Sequence, residues 1–195
     1  MSIRVVVIYH SGYGHTAKVA QAVGEGARQR ADAQVDILSV DGLDEQGWAV
    51  LDAADAIIFG APTYMGGVSG QFKIFIDSAS KRWFNQDWKN KIAAGFTNSG
   101  AYNGDSLNTL HQLSANAMQH SMIWVGTGLM GATAKGIEGP DSNAINRVGS
   151  FLGLATQSNN ESPDITPPRG DLETAILFGK RVADITAQFV AGQSQ

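Results

Sequence analysis

Val5-Val6-Val7-Ile8-Tyr9-His10-Ser11-Gly12-Tyr13-Gly14-His15-Thr16-Ala17 joins an apolar run to an alanine-rich helical pattern through a glycine-spaced turn. Strand, turn and helix in that order make a phosphate cradle. Glycines let backbone N–H groups approach a phosphate, the Ser11 and Thr16 hydroxyls can donate to its oxygens, and the helix start adds its positive dipole end. Taken alone the turn is ambiguous. Gly12-x-Gly14-x-x-Ala17 also satisfies the dinucleotide fingerprint, with Asp36 or Asp41 available as a ribose-binding acid, and a purely structural turn has the same composition. A P-loop is excluded, because no Gly-Lys-Ser/Thr follows at the required spacing.

Outward from this stretch, short apolar runs alternate with helical patterns. Strands are expected at 3 to 9, 34 to 40, 55 to 60, 91 to 97 and 121 to 126, and helices at 15 to 31, 44 to 53, 69 to 82 and 106 to 119. The runs Asp55 to Gly60 and Ser121 to Gly126 are continuous rather than alternating, as in a parallel sheet covered on both faces. Leu172, Ala175, Ile176, Gly179, Val182, Ala183, Thr186, Phe189 and Val190 repeat with helical period, so a last helix should lie flat on the sheet with Asp171 as its N-cap. Strand–helix alternation implies right-handed βαβ units in one α/β domain over residues 1–195. Five strands fit the flavodoxin-like doubly wound parallel sheet, order 2-1-3-4-5, better than a six-stranded dinucleotide fold.

One region departs from the alternation. Residues 126 to 170 are rich in Gly (126, 128, 131, 136, 139) and Pro (140, 163, 167, 168), too long for a structureless connection. Phe151 to Thr156 reads as a further short strand, which makes Thr127 to Ser150 an insertion interrupting strand five. It is either a surface excursion, or a cover for the site or a subunit contact.

Composition narrows the function classes. With 43% hydrophobic and 16% charged residues, the chain has a soluble globular composition. A net charge of −4 without a Lys/Arg cluster argues against nucleic-acid binding. The absence of cysteine removes disulfides, thiolate chemistry and Cys-ligated metals, and no histidine spacing suggests a metal site. No stretch reaches the roughly 18 apolar residues of a membrane span, and Val5 to Ile8 is too short for a signal-peptide core. A cytoplasmic protein is therefore expected. Asn160-Glu161-Ser162, a glycosylation sequon in form, is read as chance.

In a doubly wound sheet, ligands bind at the carboxyl ends of the strands. Three strand-end loops have unusual composition: Ser11 to Thr16, Gly60-Ala61-Pro62-Thr63-Tyr64-Met65-Gly66-Gly67, and Thr97-Asn98-Ser99-Gly100-Ala101-Tyr102-Asn103-Gly104. Each combines glycines, a small hydroxyl or amide and an aromatic, which suits a flat heteroaromatic ring edged by Tyr13, Tyr64 or Tyr102. Each loop by itself is also an ordinary turn.

Across its whole length, from Ser11-x-x-Gly14-His15-Thr16 through Pro62-Thr63-Tyr64-Met65-Gly66-Gly67 to Phe178-Gly179-Lys180-Arg181-Val182-Ala183, the chain resembles the flavodoxin-like FMN-dependent NAD(P)H:quinone oxidoreductases of the tryptophan-repressor-binding-protein type. The resemblance implies an FMN with its phosphate on Ser11, Gly12, Tyr13, Gly14, His15 and Thr16. Its ring would sit between Pro62, Thr63, Tyr64, Met65 and Gly66 and the third loop, with Thr97, Asn98, Ser99, Gly100, Tyr102 and Asn103. By the same resemblance, Tyr13 meets the nicotinamide nucleotide, Trp83 flanks the substrate, and His120 approaches the flavin as a hydrogen-bond or proton donor. His120 equally suits a helix cap or a space filler. Two departures stand out: Ala101 and Tyr102 replace a Gly/Thr-rich run in the third loop, and the connection from Val40 to Asp55 is short.

The activity so implied is ping-pong hydride transfer from NAD(P)H through FMN to a quinone-type acceptor, in a homodimer or homotetramer whose neighbouring subunit completes the pocket. An FMN electron carrier and a flavin-free interaction protein are the alternatives. A carrier would show a strongly acidic surface, and −4 is mild for one.

Overall fold

The computed structural model describes residues 2–137 and 141–193. The expected insertion residues Gly139 and Pro140 lie outside the described residues. Strands β1 (Ile3–Tyr9), β2 (Ala33–Ser39), β3 (Ala56–Tyr64), β5 (Ile92–Ser99) and β6 (Ile123–Trp124) form a parallel sheet in the order β2-β1-β3-β5-β6. This is the expected doubly wound order, with two additions. Residues Gly67–Val68 form β4, which pairs antiparallel with the end of β3. Strand β7 (Leu154–Gln157) pairs with the upper half of β5, whose lower half pairs with β6.

Strand five is thus split in two, and residues 125 to 153 leave and return between its halves. The insertion contains a short 3₁₀ turn at Ala132–Lys135. Its return is anchored by Arg147. That guanidinium makes a bidentate pair with Asp171 at 2.8 and 3.0 Å, with both side chains 2% exposed. Asp171 is accordingly not an N-cap. The last helix starts two residues earlier, and Asp171 in its first turn accepts from Arg147 and from the Gln157 N–H.

Among the described residues, six α-helices cover the sheet: α1 (His15–Arg28), α2 (Glu45–Asp52), α3 (Gly70–Ser78), α4 (Ser80–Asn85), α5 (Ser106–Gln119) and α6 (Arg169–Gln193). The expected helix over 69 to 82 is two helices that meet at Ala79. Period-2 alternation along the strands sorts the core into two layers. Val5, Val7, Ile58 and Ala94 face α1 and α6, whereas Val6, Ile8, Ile57 and Ala93 face Phe72, Phe75, Trp88 and Leu110 on the other side. Helices α1 and α6 touch backbone to backbone: a Cβ on Gly26 or Gly179 would fall 1.9 Å from a carbonyl oxygen of the other helix. On α3, Lys73 pairs with Asp77 at i, i+4.

Candidate functional site

The carboxyl ends of β1, β3, β5 and β7 meet around a cavity of about 380 Å³. Ser11, Tyr13, His15, Thr16, Pro62, Thr63, Tyr64, Asn98, Ser99 and Gly100 line it, so the three loops singled out in the sequence do converge. A fourth wall is formed by Ser158 to Glu161 and Pro163, the segment that follows β7.

The cradle is built from the turn upward. Gly14 takes φ +92°, a conformation that side chains with a Cβ rarely adopt. Ser11 Oγ accepts from the N–H groups of Gly14 and Ala17, each at 3.1 Å, and so caps the start of α1 from one turn away. The N–H groups of His15 and Thr16 keep no protein partner, and both residues line the same concavity. Two side chains from α1 fasten the fourth wall: the His15 ring meets the Glu161 carbonyl at 2.8 Å, and the Lys18 ammonium donates to the Pro163 carbonyl. A Cβ on Gly14 would stand 2.7 Å from Pro163 Cγ, so the wall rests directly on the turn. The cavity is therefore walled at the end beside the turn.

The opposite end is aromatic and open. Tyr13 is 76% exposed and meets Tyr64 edge-on, with centroids 6.2 Å apart. A Cβ on Gly12 would stand 2.5 Å from the Tyr64 hydroxyl, which burial pushes above its usual range. His10 lies edge-on behind Tyr64 at 6.4 Å. Met65 and Gly66 occupy the two left-handed positions of a hairpin turn between β3 and β4, with φ 47° and 83°. They form the tip above the cavity rather than its lining. Thr97 lies beneath, where its hydroxyl and that of Thr109 both bond Thr63 Oγ1.

Other expected site residues fall elsewhere. Tyr102 turns away from the cavity, its ring 5.1 Å from the Arg147 guanidinium and its hydroxyl accepting from Arg147 Nη1. Together with Asn103 it borders a neighbouring cleft. Trp83 and His120 line a different groove, of about 540 Å³, between α3, α4 and α5. The cause is topological. Helix α5 starts at the carboxyl rim, so its C-cap, His120, is carried to the opposite edge of the sheet. There its ring packs 4.5 Å from Trp88, and burial holds it below the usual imidazole range.

The fourth wall is what sequence reasoning missed. Its signal is present in the sequence: Ser158 to Pro163 follows the short strand expected at Phe151 to Thr156 and has turn composition, as a strand-end loop at the carboxyl rim should. Asn160 and Glu161 of the Asn160-Glu161-Ser162 sequon are part of the cavity lining.

Residues 3–135 match the family model described as NADPH-dependent FMN reductase. The chain belongs to that family. A flavodoxin, WrbA-like protein from Agrobacterium tumefaciens is 44% identical, with a TM-score of 0.75 over 96% of this chain and 99% of that one. Among curated relatives, Flavodoxin FldP of Pseudomonas aeruginosa is 44% identical over 96% of this chain and 99% of its own. An NAD(P)H dehydrogenase (quinone) of Archaeoglobus fulgidus is 31% identical over 93% and 96%. The FMN reductase family member described here is thus of the flavodoxin-like, WrbA type, with FMN as its cofactor. Its cavity fits that ligand: free N–H groups and a helix start at one end, tyrosines at the other, and space for a flat ring between. That match sets the flavin-free alternative aside.

Proposed function

We propose that the protein is an FMN-dependent NAD(P)H dehydrogenase acting on quinones in the cytoplasm. The observation that carries this reading is the asymmetry of the cavity. Its phosphate end is walled by Glu161 and Pro163, while its aromatic end is open beside Tyr13, where a second flat molecule can stack. FMN, when bound, supplies the hydride chemistry. The chain contributes the rest. Ser11, Thr16 and the helix start hold the phosphate, Pro62, Thr63 and Tyr64 border the ring, and Tyr13 leaves one face accessible to nicotinamide and quinone in turn. No side chain of this chain's own cavity needs to carry a proton.

Trp83 enters this reading through assembly. As a homodimer or homotetramer, the protein would bring a half-exposed Trp83 to a neighbour's open rim, whereas His120, buried against Trp88, stays within its own subunit. Exposed Trp83 gives that groove an apolar margin suited to a second copy.

A specific observation favours a second reading, the electron carrier: a relative named as a flavodoxin is 44% identical over nearly the full length. Anaerobic titration of FMN-loaded protein with NADH and then NADPH separates the two. Rapid two-electron bleaching of the flavin band is the expected result. No reduction by either nucleotide would leave the carrier.

A further inference from the structure

The split strand brings two hydroxyls against one amide. In the β5–β7 register Asn98 stands opposite Thr156, and Ser158 follows two residues later. Asn98 Oδ1 accepts from Thr156 Oγ1 at 2.8 Å and from Ser158 Oγ at 2.9 Å. All three residues are more than nine-tenths buried. Asn98 lines the cavity, and its Nδ2 has no protein partner yet is not sealed from solvent. With the carbonyl half taken up by two hydroxyls on the β7 side, the amino half faces the cavity.

Reversing the amide is disfavoured by the same contacts. Nδ2 would then donate to both hydroxyl oxygens, and Thr156 could redirect its hydrogen to the Thr97 carbonyl at 3.2 Å. Ser158 could not. Its hydroxyl bonds only Asn98, so a buried donor would be left without an acceptor.

We infer that Asn98 donates a side-chain N–H to an acceptor on the edge of the flavin ring, with Thr156 and Ser158 as the positioning residues that fix its amide. The flavin edge alternates carbonyl or imine acceptors with a single N–H, and an amino group matches the acceptors. An N–H donor at the ring edge would stabilise the negative charge that the ring gains on reduction, and so favour the reduced form. The interrupted fifth strand has a purpose in this arrangement. Its second half returns to the rim carrying Thr156 and Ser158, which a strand ending at Trp124 would not supply.

The inference rests on FMN occupying the cavity, and the two are tested separately. Wild-type apoprotein is titrated with FMN and with riboflavin by fluorescence quenching, and absence of FMN binding would remove the cofactor reading itself. Asn98→Asp keeps the acceptor for both hydroxyls and removes the donor. It should weaken FMN and riboflavin alike, by about tenfold or more, and shift the midpoint potential to more negative values. Unchanged affinity and potential would mean that the amide carbonyl faces the ring. Loss confined to FMN would place Asn98 on the phosphate. Either result overturns the inference. Should Asn98→Asp fail to fold, Ser158→Ala leaves Asn98 in place and frees its amide to turn. Weaker binding with a more negative potential supports the inference, and wild-type values for both overturn it.

Discussion

The cavity at the carboxyl rim and the groove between α3, α4 and α5 differ in a way that volume alone would misjudge. The groove is the larger, about 540 Å³ against 380 Å³. The cavity's polar atoms, however, are held by neighbours in defined directions: Ser11 by two N–H groups, Asn98 by two hydroxyls, His15 by a carbonyl. In the groove, buried His120 Nδ1 and Asn116 Nδ2 have no partner, and the margin is exposed Trp83. A small-molecule site shows itself by pre-aimed polar atoms; an unfinished surface shows itself by orphaned ones beside apolar side chains.

Variants can break or sharpen this contrast. The largest effect is expected for Arg147→Ala, which strands buried Asp171 and loosens the fourth wall. Urea unfolding should register a loss of about 3–5 kcal/mol, and a loss below about 1 kcal/mol would show the ion pair to be dispensable. Thr16→Val comes next. Removing a hydroxyl from the phosphate end should weaken FMN binding by about 1–3 kcal/mol, measured by fluorescence titration, whereas unchanged affinity would mean that the phosphate lies elsewhere.

His120 tests the groove by pH. Because burial holds its folded-state pKa below the unfolded value of 6.5, the unfolded chain takes up the proton first as the solution is acidified. Stability contributed by neutral His120 is complete above that value and drains away below it, by at most about 1.4 kcal/mol per pH unit. His120→Gln should flatten the stability profile between about pH 7 and pH 5, and an unaltered profile would show the ring to be solvated. The smallest effect is expected where the contrast is sharpest: Trp83→Ala should change FMN affinity by less than about 0.5 kcal/mol while sedimentation velocity reports a smaller assembly. A large loss of FMN affinity in that variant, with sedimentation unchanged, would assign Trp83 to the chain's own cavity.

The legible parts of the site were those in which neighbours in sequence are neighbours in space. The cradle from Ser11 to Thr16 is one turn between one strand and one helix, and its residue types announce both. The Pro62 to Gly66 turn is similarly local, although β3 runs on to Tyr64 before the chain reverses. The fourth wall is not local. Strand β6 has only two residues, and its continuation begins at Leu154, joined to it only by their common partner β5. Periodicity can find Leu154 to Gln157 as a strand but cannot say which edge it will occupy. Trp83 and His120 illustrate another limit. The resemblance implies Trp83 beside the substrate and His120 beside the flavin, whereas the direction of α5 alone puts His120 at the far edge of this chain's sheet.

The bond between His15 and the Glu161 carbonyl spans 146 positions of the chain. During synthesis the cradle emerges from the ribosome early, with its strand and helix, and then waits for the wall that encloses it. Everything from β2 to β7, including the insertion, must be made first, and α6 must dock on α1 to hold the returning segment in place. A chain that ends before Ser158 has the residues of all seven described strands but neither α6 nor the wall, so the cradle stands open until Ser158 to Pro163 have been made.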